Sequence, residues 1–100
     1  MNSKDKSIEL LVDRILKEFE PGQIKIKDYW EADLCAIGFS DNNEKHLVYV
    51  STYGKSDNLF YVSLEILYED KNSPYQKDGE FDNISYVELQ TIISRYLIEN

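Results

Sequence analysis

The stretch Leu59-Phe60-Tyr61-Val62-Ser63-Leu64-Glu65-Ile66-Leu67-Tyr68 carries the longest strand signal in the chain. Phe60, Val62, Leu64 and Ile66 alternate strictly with other residues, the period of a half-buried β-strand and not of a helix. β-Branched and aromatic side chains dominate the run, and these fit a pleated sheet surface. Successive side chains of a strand point to opposite faces, so this quartet should point into a core. The complementary set, Leu59, Tyr61, Ser63, Glu65 and Leu67, then lies on the other face.

Working outward, two similar runs precede it. Leu47 to Tyr53 ends at Gly54, and Lys55-Ser56-Asp57-Asn58 completes the turn. Leu34 to Phe39 is almost continuously apolar and ends at Ser40-Asp41-Asn42-Asn43, which has turn chemistry. Short turns between consecutive strands predict an antiparallel meander. By the same alternation, Val48 and Val50, with Cys35, Ile37 and Phe39, should join the core, whereas Ala36, Gly38, Leu47, Tyr49, Ser51 and Tyr53 share the outer face. Residues 23–30 read as a short, candidate edge strand, with Ile24 and Ile26 alternating with Lys25 and Lys27. The polar stretch Glu69 to Glu80 holds Pro74 and Gly79 and reads as an exposed loop, followed by a few extended residues from Phe81 to Ile84.

Helices bracket these strands. Ile8, Leu11, Val12, Ile15 and Phe19 fall on one helical face, and Pro21-Gly22 stops that helix. At the other end, Ser85 and Glu88 form a capping box, and Ile84 with Leu89 sits at hydrophobic-staple spacing. Leu89, Ile92, Ile93, Tyr96 and Leu97 continue as one apolar face. The expected fold is α+β: a two-layer sandwich of about four antiparallel strands with both helices on one face, in the order α-β-β-β-β-α, forming one domain over residues 1–100.

Composition narrows the function. Nineteen acidic and eleven basic side chains give a net charge of −8, which argues against nucleic acid or an anionic membrane as direct partner, because both demand a basic face. No apolar run approaches the roughly 20 residues that cross a bilayer. The charged amphipathic N-terminus differs from a secretory signal, and the lone Cys35 cannot form an internal disulfide; both point to the cytoplasm. His46 beside Lys45 reads as a surface residue, and Cys35 as inert core. A Cys35–His46 pairing across the 41–44 turn would be the sole nucleophile-plus-base combination, with no orienting group in sight. Asp78, Glu80, Asp82 and Glu88 suggest a calcium loop only superficially: Gly79 stands in the wrong place, and Leu89 occupies the closing position. We therefore expect no enzyme activity, no cofactor and no metal.

Two features point to binding instead. Tyr49, Tyr53 and Tyr61 lie on the outer sheet face, and tyrosine offers a large rigid contact area with a hydroxyl. Glu65, Glu69 and Asp70, then Asp78, Glu80 and Asp82, bracket one loop and suit a cationic protein partner.

Asp33-Leu34-Cys35-Ala36-Ile37-Gly38-Phe39, Leu47-Val48-Tyr49-Val50-Ser51, Leu59 to Glu65 and the terminal helix Tyr86 to Leu97 resemble, in size, order and texture, the small acidic immunity proteins of bacterial toxin–immunity systems, including contact-dependent inhibition. That resemblance implies binding and neutralising a cognate toxin, often a basic nuclease, with carboxylates standing in for phosphates. It would place Asp70, Asp78, Glu80 and Asp82 against toxin lysines and arginines, with Tyr49, Tyr53 and Tyr61 as anchors and Glu65 beside them. The rival readings are a structural or regulatory subunit that forms a homodimer through the tyrosine face, an enzyme with an unrecognised pocket, and an elongated nucleic-acid mimic.

Overall fold

The computed structural model describes residues 4–28, 32–67 and 75–99. Helix α1 (Lys6–Glu18) is capped by Asp5, whose carboxylate accepts from the Ser7 N–H at 3.0 Å and the Ser7 hydroxyl at 2.6 Å. Strands β1 (Lys25–Lys27), β2 (Ala36–Ser40), β3 (His46–Ser51), β4 (Phe60–Leu67) and β5 (Tyr75–Ile84) form one antiparallel sheet in sequence order. Helix α2 (Tyr86–Ile93) closes the chain and continues as a wider π-helical turn, Ser94–Ile98. Its Ser85–Glu88 capping box is formed at both bonds, and Ile84 and Leu89 are both buried in the core.

The two-layer α+β architecture follows. Buried residues of α1 (Ile8, Leu11, Val12, Ile15) and of the last helix (Tyr86, Leu89, Ile93, Leu97) share one cluster with Ile37, Phe39, Val48, Val50, Phe60 and Val62. Both helices therefore cover the same sheet face. Register confirms the alternation: Phe39 pairs with Val48 and Val48 with Leu64, while Ile37 pairs with Val50 and Val50 with Val62. The radius of gyration, 12.8 Å, is close to the ~13 Å of a compact 100-residue domain.

Three expectations need correction. Residues 75–80 are not loop: they begin β5, a ten-residue fifth strand that makes the sheet larger than four. Cys35 stays out of the core, because β2 starts one residue later. It is half-buried; its N–H donates to Asp33 Oδ1 at 3.0 Å, and its carbonyl accepts from the Thr52 N–H at 2.9 Å. His46 is not a surface residue. It opens β3 opposite Ile66, with its side chain 14% exposed, its Nδ1 2.7 Å from Asp41 Oδ2 and its ring edge-on to Tyr96 at 5.0 Å. The same register separates Cys35 from His46, one beside Thr52 and the other beside Asp41, at opposite ends of the β2–β3 hairpin.

The chain entering α1 is tied down by a buried charge. Lys4 Nζ donates to Asp28 Oδ1 at 2.8 Å and to the Asp33 carbonyl at 2.9 Å, with its side chain fully shielded from solvent. The Asp5 N–H also donates to the Leu34 carbonyl at 2.8 Å. Asp28 and Asp33 thus serve the fold as well as the surface charge.

Candidate functional site

The outer face of the sheet is built by cross-strand neighbours. Tyr49 of β3 pairs with Ser63 of β4, and Ser51 pairs with Tyr61, so the two tyrosines are diagonal neighbours. Their rings meet edge to face, with centroids 6.2 Å apart at 71°. Edge-to-face packing sets the positive ring edge of one against the negative face of the other. Small residues lie around them: Ala36, Ser40, Ser51 and Ser63 are all buried. Leu47 is buried too, at 1% exposure. Tyr75, at the start of β5, reaches past β4 to donate its hydroxyl to the Glu44 carbonyl at 2.8 Å, crossing one end of this face. Glu44 also takes Lys25 at 3.3 Å and Lys27 at 2.5 Å, and these two bonds hold its carboxyl below its usual range. The face without helices is thus partly closed by its own side chains.

What remains open is a shallow hollow of about 680 Å³ beside Tyr49, lined by Asp33, Leu34, Cys35, Ser51 and Tyr53. Tyr53 is not on the strand, which ends at Ser51; it stands on the following turn, 79% exposed. Leu34, 51% exposed, faces solvent nearby. Burial raises the Tyr49 hydroxyl above its ordinary pKa, and the negative charges of Asp33 and Glu65 add to the effect.

The carboxylates expected to act together are dispersed. Glu65 lies on the outer face across from Lys77; burial raises its pKa, and the Lys77 charge opposes the rise. Glu80, opposite Ser63, accepts from the Tyr61 hydroxyl at 2.5 Å and from Lys77 Nζ at 3.0 Å, and these bonds lower its pKa in that order. The same Glu80 contact is the largest cause of the raised Tyr61 hydroxyl. Asp78 and Asp82 leave the group because β5 carries two register shifts, each inserting an extra residue against β4. A regular strand would align residues 78, 80 and 82 on one face. Instead Asp78 accepts from the Tyr96 hydroxyl at 2.9 Å on the helix side, and Asp82 binds Lys55 at the β3–β4 turn, which lowers its pKa. Asp70 lies outside the described residues. Of the eight partner-binding residues expected, the structure brings Tyr49, Tyr61, Glu65 and Glu80 onto one face and sets Tyr53 at its rim.

Sequence reasoning missed the Asp41–His46–Tyr96 contact. Its signal was available: His46 has the same strand parity as Val48 and Val50. Among the described residues, no group of three His, Cys, Asp or Glu side chains is arranged to hold a metal ion. No helix among them is long and apolar enough to cross a membrane. In comparisons with known proteins, no family model, curated protein or solved structure matches the chain.

Proposed function

We propose that this is a non-catalytic protein-binding domain, an immunity protein that binds and neutralises a basic cognate toxin, such as a nuclease, in the bacterial cytoplasm. The observation that carries the reading is the outer sheet face, where the packed Tyr49–Tyr61 pair lies beside the Glu65 and Glu80 carboxylates. Aromatic anchors next to negative charge suit a cationic protein surface, because the rings supply contact area and the carboxylates favour lysine and arginine. The net charge of −8 adds long-range attraction to such a partner, strongest at low salt. Family resemblance supplies the specific role of toxin neutralisation.

The test is capture of a partner from lysate of the source organism at low and then high salt, followed by binding of the purified partner to Tyr49→Ala and to Glu65→Gln/Glu80→Gln. The expected result is one basic protein whose affinity falls at least tenfold with Tyr49→Ala. A partner that binds both variants as tightly as the parent would sink the assignment of this face. Lys77 and Glu80 on the same face also permit self-complementary pairing, so a homodimer through the tyrosines is the second reading. Light scattering of the purified chain separates the two: a dimer dissociated by Tyr49→Ala supports the second.

A further inference from the structure

A second concavity, of about 620 Å³, runs between α1, the turn joining β3 to β4, and the first residue of α2. Its floor is apolar, formed by buried Leu11, Phe60 and Tyr86. Leu10, 59% exposed, stands on its wall. The volume falls within the roughly 300–1,000 Å³ of small-molecule sites.

Its lining holds more basic side chains than acidic ones, three against two. Lys6, Arg14 and Lys55 line it, and although acidic residues outnumber basic ones 19 to 11, neither Lys6 nor Arg14 forms an ion pair with any described residue. Lys55 is engaged by Asp82 and Asn83. Of the two acids in the lining, Asp5 accepts from Ser7 as the α1 cap, and neither it nor Asp57 forms an ion pair with Arg14. Arg14 is also held in place: its guanidinium carbon lies 3.6 Å from the centroid of the Tyr86 ring. Stacking on an aromatic face restrains the side chain and leaves the in-plane N–H groups free to take a carboxylate with two hydrogen bonds. The Tyr86 hydroxyl is itself buried, makes no hydrogen bond of normal geometry, and feels the Glu18 carboxylate.

We propose that this groove binds a small carboxylic acid with an apolar body, its carboxylate on Arg14 and its body against Leu10, Leu11 and Phe60. A cation stacked above an apolar floor selects for that combination: a purely polar anion would leave the floor wet, and a neutral apolar molecule would leave Arg14 without a counter-charge. The site does not depend on the Tyr49–Tyr61 face and stands whether or not that face binds a protein.

The experiment is amide NMR titration of the full chain with 4-phenylbutyrate and, separately, with its uncharged counterpart 4-phenylbutyramide. The expected result is saturable shifts confined to residues 10–14, 52–60 and 86, with the acid binding at least tenfold tighter than the amide. Arg14→Gln should bring the acid down to the level of the amide. Equal binding of acid and amide, shifts centred on other residues, or no saturable shift with the acid would each overturn the proposal. The acid–amide comparison on the unaltered chain is decisive even if Arg14→Gln folds poorly.

Discussion

Across three neighbouring strands, Phe39, Val48 and Leu64 form one cross-strand row, and the next row along is Ser40, Leu47 and Glu65. The first row lies under the helices and the second on the far face. The positions of the first row answer to one demand, the removal of apolar area from water, which is non-directional and tolerant of chemistry at constant volume. On the far face, positions answer to one another. Small residues lie among large ones, Tyr49 packs on Tyr61, Tyr61 bonds Glu80, and Glu80 bonds Lys77. The two rows separate positions that fill volume from positions that bond to one another, in a sheet whose two faces share every backbone hydrogen bond. Substitutions under the helices should be read in melting curves and, on the proposed function, those on the far face in binding curves.

The largest effect should come from Phe39→Ala, which empties the centre of the helix-covered face. We expect a loss of about 3–5 kcal/mol, measured by denaturant unfolding at constant m-value. Leu47→Ala is the sharper probe, because Leu47 lies on the far face yet is as buried as the core. If the comparison holds in its simple form, its loss should fall well below that of Phe39→Ala. Its burial predicts otherwise, at roughly 2–4 kcal/mol. Such a value would show that the end of this face crossed by Tyr75 is a second, smaller core. Tyr49→Ala should cost about 2 kcal/mol, from one lost aromatic pair and the partial burial of the ring. It should nonetheless weaken partner binding at least tenfold. A stability loss as large as that of Phe39→Ala would show Tyr49 to be structural.

How far these assignments could be read from the chain varied with the physics behind each. Strands β2 to β4 and both helices were legible, because alternation in residues 60–66 and helical spacing in Ile8–Ile15 survive intact into the structure. β5 was not. It is an edge strand, so its sequence is polar, and its two inserted residues break the period by which a strand is recognised. Gly79, at positive φ, carried a turn signal that here belongs to a bent strand and not to a loop. At the candidate site, the Tyr49–Tyr61 neighbourhood followed from strand parity alone. Tyr53 fell off the face because β3 stops two residues before it. The Arg14–Tyr86 groove was out of reach, since three segments distant in sequence must meet to form it.

The two faces can be compared once more through proton binding, because each holds an acid whose pKa burial raises. On the far face it is Glu65; beneath the helices it is Tyr86, pushed up to about 12 by burial and then by the negative charge of Glu18. A raised pKa means that the folded chain holds the proton more tightly than the unfolded one, so each group's contribution is complete below its unfolded value and is lost as pH rises through its folded value. Glu65 therefore withdraws stability above the ordinary glutamate range, where Glu80 and Asp82, both lowered, have already contributed theirs. Tyr86 withdraws its share only between about pH 10 and 12. Glu65→Gln should raise stability slightly at pH 7 and leave it unchanged at pH 3. Tyr86→Phe should be close to neutral at pH 7, since the hydroxyl removed makes no hydrogen bond of normal geometry and has only the Glu18 carboxylate to lose, and should flatten the alkaline decline. Urea unfolding of both variants at pH 3, 7 and 11 tests the pair. If Tyr86→Phe were strongly destabilising at pH 7, the hydroxyl would have to be bonded in solution, and a donor or acceptor beside Glu18 would be the place to look for its partner.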